Sequence, residues 1–308
     1  GLFWTGSDLG LLRTEGERVD RLSGAENGSV SAMLADGGAV LVAYSQGIVL
    51  RYVPDGCDTL FADSSLANTP VRAMVRTSDG ALWLGTYGAG LWRIPAGPKS
   101  QPTIFADLPD AHVNDLAVLD KDRVVVATDQ GLAIAAAHGV QQVFDEAKGA
   151  PDNLVMAVAV LPNGQVVAGT DAKGVFRWDP YTHSVSQVGA PWRFGPVSRI
   201  EADNERIWVG TRTEGVVVIG SGTDPGFHQR ATAGGIITDL WLDRTGAIWW
   251  CDGSEYLRRA DPAILVVPEK QGIDLRKVSA ICVDRRNRVW VATPQGIYHH
   301  AAGFSVGD

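Results

Sequence analysis

Apolar residues in this chain fall in short runs separated by polar turns, and one arrangement of runs keeps returning. An apolar run, often with Trp, ends in a small residue and Thr. A polar turn, a Gly and a second apolar run follow. The copies read LFWTGSDLGLLR from Leu2, VLVAYSQGIVLRY from Val40, LWLGTYGAGLWRI from Leu82 and VVVATDQGLAIA from Val124. Four more read VVAGTDAKGVFRW from Val166, IWVGTRTEGVVVI from Ile207, IWWCDGSEYLRRA from Ile248 and VWVATPQGIYHH from Val289. The closing small residues are Gly6, Ala43, Gly85, Ala127, Gly169, Gly210, Cys251 and Ala292, at intervals of 37, 42, 42, 42, 41, 41 and 41 residues. A fixed period of this length marks a repeat architecture.

Two residues before each small residue stand Trp4, Leu41, Trp83, Val125, Val167, Trp208, Trp249 and Trp290. In a strand those two positions share a face, so large and small side chains can interdigitate between stacked sheets. Each copy but the first is preceded by another apolar run: VSAMLAD from Val30, VRAMVRT from Val71, VNDLAVL from Val113, VMAVAVL from Val155, VSRIEAD from Val197, ITDLWLD from Ile237 and VSAICVD from Val278. These read as strands buried on both faces. A fourth run closes the unit, as at Thr59 to Ala62, Thr103 to Ala106, Gln141 to Phe144 and Ser184 to Val188. Asp79-Gly80, Asn163-Gly164 and Thr245-Gly246 supply turn chemistry with positive φ between the first and second strands.

Four short strands per period of about 41, with no helical segment between, predict the blades of a β-propeller. The expected fold is all-β, a single propeller domain over residues 1–308 with eight repeats. Eight blades are favoured over seven; a linear solenoid is the competing stack. The first repeat begins at its second strand, so eight full blades lack one inner strand, and the tail Ala301 to Asp308 offers one outer strand.

Composition agrees: of 308 residues, 45% are hydrophobic and 36 are Gly, with 3 Met, which suits many strands and turns. A net charge of -8 gives no overall attraction to phosphates, so nucleic acid is excluded as an expected partner. No apolar run is long enough to span a bilayer as a helix, so direct membrane insertion of this segment is not expected. Cys57, Cys251 and Cys282 lack the number for a disulfide framework and the spacing for a zinc site.

The unit V-x-A-(apolar)-x-x-D-x-x-G-x-(apolar)-W-(apolar)-G-T-x-x-G-G-L resembles the two-component regulator propeller repeat. Val71 to Ile94, ending DGALWLGTYGAGLWRI, is the nearest copy, and VSAICVDRRNRVWVATPQGIYHH from Val278 also fits. The resemblance implies an extracytoplasmic sensor or binding module of bacterial hybrid histidine kinases or diguanylate cyclases, and hence a periplasmic or extracytoplasmic location. That family usually carries seven blades per ring, followed by a small β-sandwich, a membrane span and a transmitter. The expectation is therefore a fragment of a longer chain, or a free-standing propeller. Cys251 and Asp252 replace Gly-Thr in the seventh copy, and the fourth runs Ala-rich through Ala133 to Ala137.

No HExxH, GxSxG, P-loop or CxxC pattern occurs, and the histidines His112, His138, His183, His228, His299 and His300 form no metal spacing. No catalytic residue, metal or cofactor is expected. A propeller usually binds at the mouth of its channel. There the second-to-third-strand loops place Asp8, Tyr44, Tyr87, Asp129, Asp171, Lys173, Arg212, Glu214, Glu255 and Gln295. Loops between blades add Asn27, Asn68, His112, Asn153, Trp192, Arg193, Phe194, Arg276 and Lys277. The third inner-strand position is Ala32, Ala73, Ala157 and Ala280 in four copies but Asp115, Arg199 and Asp239 in three. Charges near the axis need partners, so Arg199 should pair with Asp239 or Asp115, as an inter-blade tie or as a ligand contact. Trp192 and Phe194 beside Arg193 suit a sugar or a carboxylated molecule; the alternative is a loop folded onto its own blade. The candidate ligand residues are Tyr87, His112, Asp115, Trp192, Arg193, Phe194, Arg199, Arg212 and Asp239. The expected function is non-enzymatic binding or sensing of a small molecule or glycan. The alternatives are a scaffold for a protein partner or self-association, and a propeller lyase or hydrolase.

Overall fold

The computed structural model describes residues 2–7, 10–15, 18–21, 29–53, 56–97, 100–189, 191–203, 206–220, 228–230, 235–243, 246–252, 257–261, 263–267, 280–283, 289–293 and 296–300. These residues form eight antiparallel sheets, six of four strands and two of three. The fold is a β-propeller, and the sheets are its blades, numbered here by repeat.

The chain divides into two compact units, residues 1–71 with 241–308, and residues 72–240. In the second unit, blade 3 comprises Val71–Arg76, Leu82–Thr86, Leu91–Ile94 and Thr103–Phe105. Blade 4 comprises Val113–Val118, Val124–Thr128, Gly131–Ala136 and Gly139–Phe144. Blade 5 has Val155–Val160, Val166–Thr170, Val175–Trp178 and Val185–Val188, and blade 6 has Val197–Ala202, Arg206–Thr211, Val216–Gly220 and His228–Arg230. The unit boundaries fall inside the first strands of blades 3 and 7, the latter Asp239–Leu242.

The first unit holds blade 1, with Leu2–Ser7, Gly10–Glu15 and Arg18–Arg21, and blade 2, with Val30–Asp36, Ala39–Tyr44, Ile48–Val53 and Gly56–Ala62. It also holds Ile248–Cys251, Leu257–Asp261 and Ala263–Val267 of blade 7 and the blade 8 strands Ala280–Val283, Val289–Thr293 and Gly296–His300. Blade 1 starts at its second strand, as the repeat alignment requires. Ala280 of blade 8 packs in one apolar cluster with Val30 and Met33 of blade 2. The expected outer strand from Ala301 to Asp308 lies outside the described residues.

One correction concerns burial. In blades 3, 4 and 5 every residue of the second strand is buried, whereas the first strands bury only part of their length. In the first strands of blades 2, 3 and 5, positions one, three and four point inward and the rest meet solvent.

The repeated small residue has a steric cause. A methyl group added at Gly85 would sit 2.6 Å from Val113 Cγ1, and one at Gly210 would sit 2.7 Å from Ile237 Cγ2. At Gly169 it would overlap Val197. Each glycine thus receives the first apolar residue of the following blade. Trp83, fully buried on the same face, donates its indole N–H to Thr77 Oγ1 at 3.0 Å, and Trp249 donates to Asp243 Oδ2 at 2.8 Å. The hairpin turns at Gly80 and Gly164 are three-residue loops ending in a left-handed Gly, at φ 84° and 83°, and Gly246 is likewise left-handed at 84°. Gly80 N–H bonds Thr77 O, and Thr77 N–H bonds Ala81 O, the pairing of a type I turn closed by a glycine bulge.

Candidate ligand site at the loop rim

The Thr of each repeat shapes the loop between second and third strands. Thr86 Oγ1 donates to Gly90 O at 2.7 Å and accepts Ala89 N–H at 3.1 Å. Thr128, Thr170 and Thr211 make the same pair of bonds, with Gly131 O and Gln130 N–H, Gly174 O and Lys173 N–H, and Gly215 O and Glu214 N–H. All four hydroxyls are buried. The residue after each Thr is therefore held at the loop mouth, and in blades 3 to 6 these are Tyr87, Asp129, Asp171 and Arg212.

A second set comes from the first strands. In blades 2, 4, 5 and 6 the register slips between the first and third residues, leaving Ser31, Asn114, Met156 and Ser198 as the extra residue of a β-bulge. Bulges re-aim side chains beside functional sites. Arg72 occupies the equivalent place in blade 3 and is exposed.

The two sets meet. Arg72 lies over the Tyr87 ring, 4.2 Å from its centroid. Tyr87, 39% exposed, stands edge-on to the His112 ring at 4.5 Å, and the two residues form an isolated antiparallel bridge. His112 N–H and Nδ1 both lie 2.7 Å from Asp110 Oδ1. Burial raises the Asp110 pKa, but these His112 contacts outweigh it and hold the carboxyl below its ordinary value. Asn114 Nδ2 donates to Asp129 Oδ1 at 2.7 Å and to Val155 O at 3.0 Å. Arg212 pairs with Asp171 at 3.2 Å and reaches Met156 Sδ at 3.8 Å. Surrounding protein strips water from the Arg72 guanidinium, and Arg199 and Arg212 act on it as like charges; together these lower its pKa despite the opposing influence of Tyr87 and Asp129.

Of the residues singled out in the sequence, Tyr87, His112, Asp129, Asp171 and Arg212 come to this rim. Arg199, Asp239 and Asp115 sit at the third first-strand position and bond within and between blades. Arg199 Nε is 3.1 Å from Asp239 Oδ1, and Arg199 also bonds Ser198 O at 2.8 Å. Asp115 takes Val158 N–H of the next blade at 2.9 Å and its own neighbour Leu116 N–H at 2.9 Å. Desolvation, opposed by Arg199 and these two N–H groups, pushes the Asp115 pKa up to about 6. Glu201, two residues beyond Arg199, is raised well above its usual value by desolvation and by the charges of Asp115 and Asp239.

Two corrections follow. Trp192 and Phe194 are not an open aromatic platform: their rings meet edge to face at 5.2 Å and pack on the apolar cluster of blades 5 and 6. Trp192 donates its indole N–H to Gly195 O at 2.7 Å and lies against Gly174, which has no Cβ to obstruct it. Arg193 between them is exposed. Tyr44 is buried, its hydroxyl 2.8 Å from that of Tyr52, and does not reach the loop mouth. Asp8, Glu255, Gln295, Asn27, Arg276 and Lys277 lie outside the described residues, as do the side chains of His299 and His300. Sequence reading missed Arg72 and Asn114 because it compared third positions; the second position reads Ser31, Arg72, Asn114, Met156, Ser198, Thr238 and Ser279, polar in all but one copy.

Among the described residues, one group could hold a metal ion: Asp110, His112 and Asp129 each offer a ligand atom, all within 4.8 Å of one another. An ion there would compete with the Asp110–His112 hydrogen bond. Among the described residues, no helix is long and apolar enough to cross a membrane.

Residues 65–88 match the two component regulator propeller family. No curated protein matches the chain. Among solved structures, it resembles the extracellular domain assigned to the hybrid two component system BT4673 of B. thetaiotaomicron, at TM-score 0.72 and 18% identity over 92% of this chain and 39% of that one. The corresponding domain of BT3049 from the same organism gives 0.68 and 16% over 89% and 39%. A streptogramin B lyase gives 0.72 and 12% over 88% and 92%. The chain spans about two fifths of the length of the two extracellular domains, and at these identities the likeness is one of fold. The chain is a β-propeller that carries a two-component regulator propeller repeat.

Proposed function

We propose that this chain is a single, non-enzymatic sensor propeller of a bacterial extracytoplasmic signalling protein, and that it binds a small molecule or glycan at the loop rim of blades 3 to 6. The observation that carries this reading is the gathering of Arg72, Tyr87, His112, Asp129, Asp171 and Arg212 from four successive blades. No local fold requirement explains it, because the closing Thr bonds hold each loop whatever residue follows. The repeat match at 65–88 and the fold shared with extracellular domains of two component systems support the same reading. A thermal-shift screen of the whole chain against sugars, organic acids and amino acids tests it. Stabilisation by a compound that Tyr87→Ala and His112→Ala abolish is the expected result; at a hundredfold excess over Kd it amounts to about 2.7 kcal/mol. A screen in which no compound stabilises the chain would leave the scaffold reading in its place.

The Asp110–His112–Asp129 group favours a second reading, a propeller lyase, whose His and carboxylate would share one rim with a divalent ion. Metal-dependent stabilisation lost in His112→Ala would point there.

A further inference from the structure

Arg72 differs from the other charged residues around it. Arg212 is paired with Asp171, Arg199 with Asp239, and His112 with Asp110. Among the described residues Arg72 has neither an ion pair nor a hydrogen bond from its guanidinium; the Tyr87 ring beneath it is its one specific contact. An aromatic face fixes the guanidinium plane without using its N–H donors. Five donors are thus held in place at the mouth of the site with no acceptor. Arg199 and Arg212 add positive charge nearby, which the Asp129 carboxylate offsets only in part.

Asp129, whose charge acts on Arg72, and Asp171, one blade further on, are bonded to other groups. Asp129 is held by Asn114 and Asp171 by Arg212, each through one carboxylate oxygen. The rim therefore presents an unpaired cationic fork beside fixed carboxylates that can take further N–H or O–H groups. A ligand matching it carries a carboxylate for the fork and donors on the neighbouring atoms.

We infer that the rim of blades 3 to 6 recognises a small carboxylate bearing adjacent hydrogen-bond donors, a hydroxy or amino acid, whose carboxylate is held by Arg72 and whose donors face Asp129 and Asp171. This rests on the rim being a small-molecule site, as proposed above, and specifies what that site selects. A planar carboxylate on a guanidinium fork forms two parallel charge-assisted bonds, which a neutral hydroxyl cannot replace.

The test is calorimetric titration of the whole chain with D-gluconate, its neutral counterpart D-glucitol, L-serine and acetate, in wild type, Arg72→Gln and Asp129→Asn. Among the described residues Arg72 makes no hydrogen bond or ion pair and covers only the solvent-facing Tyr87 ring, so Arg72→Gln should change the melting temperature little. We expect gluconate or serine to bind at least about tenfold tighter than glucitol, a preference that Arg72→Gln removes. Asp129→Asn should bring the favoured ligand toward the weaker affinity of acetate. Equal affinity for gluconate and glucitol, or a carboxylate preference that survives Arg72→Gln, overturns the inference while leaving a rim-binding propeller intact. No binding of any of the four at tens of millimolar overturns it as well, and the broader screen then decides the fate of the parent reading separately.

Discussion

Arg199 Nε stands 3.1 Å from Asp239 Oδ1, linking the third first-strand positions of blades 6 and 7. In most copies that position is Ala, small enough for neighbouring strands to approach. Arg199 is matched by Asp239 at the same height one blade on, whereas Asp115, followed there by Ala157, is met by the Val158 N–H. The pair is partly shielded, Asp239 more than Arg199, so removing the cation leaves a carboxylate in poor contact with water. Arg199→Ala should therefore cost about 1–3 kcal/mol in urea unfolding. It should also raise the Asp115 pKa further, because Arg199 is the charge that holds it down. A stability loss with no movement of Asp115 in a carboxyl titration followed by NMR would disprove that coupling.

Asp115 and Glu201 give the chain an unusual pH response. Both are raised in the folded state, Asp115 to about 6 from a usual value of roughly 3.9. A raised acid binds protons more readily folded than unfolded, so these two groups favour the native state as pH falls. For Asp115 the penalty of the buried charge is present above the folded pKa and is relieved as pH drops from about 6 toward 4, and Glu201 acts in the same direction. The urea midpoint should accordingly rise on mild acidification. Asp115→Asn, which can still accept Val158 N–H, combined with Glu201→Gln should flatten that rise. An unchanged slope in the double variant would show that other groups set the response.

Gly85 is required by its neighbour, not by its own backbone. Its φ lies outside the left-handed region, and its missing side chain makes room for Val113 and Leu116 of the next blade. Gly85→Ala should destabilise by about 1–3 kcal/mol through overpacking. Gly85→Ala with Val113→Ala should recover part of that loss, and a double variant no better than the sum of the two singles would refute the steric account.

Much of the fold was legible in the sequence because its devices are local and repeated. Trp83 with Gly85, Thr86 with Gly90, and Asp79 with Gly80 each solve a packing or turn problem inside one period, so alignment of copies exposes them. The rim site is not local. Arg72 meets a ring fifteen positions on, and Asp171 meets Arg212 from the following blade. The second first-strand position became meaningful only when the register showed a bulge there. Trp192 and Phe194 misled for another reason: a Pro-flanked aromatic loop has the same composition whether it lies open or folds inward.

The rim loops depend on one buried hydroxyl each. Thr86→Val keeps the volume but strands Ala89 N–H and leaves Gly90 O with only the backbone N–H of position 86. The expected cost is about 1–2 kcal/mol. Because Tyr87 follows directly, ligand affinity should weaken as well, whereas Thr86→Ser should preserve both. Equal affinity in Thr86→Val and wild type would separate loop closure from the site.

Trp192 should behave as a structural residue. Its ring fills the space over Gly174, whose φ of 75° and missing side chain both suit that approach, and its indole N–H closes the loop on Gly195 O. The same ring borders the Val197 and Ile200 cluster that joins blades 5 and 6. Trp192→Ala removes this cover, and with partial burial the loss should be about 2 kcal/mol, below the value for a fully enclosed aromatic. Binding at the rim should persist, since the ring's contacts are with Gly174, Gly195 and Phe194; Phe194, packed edge-on to it, should show the same pattern on replacement by Ala. Chemical denaturation and ligand titration on both variants separate the roles. A variant that keeps wild-type stability but loses ligand would return this loop to the binding surface.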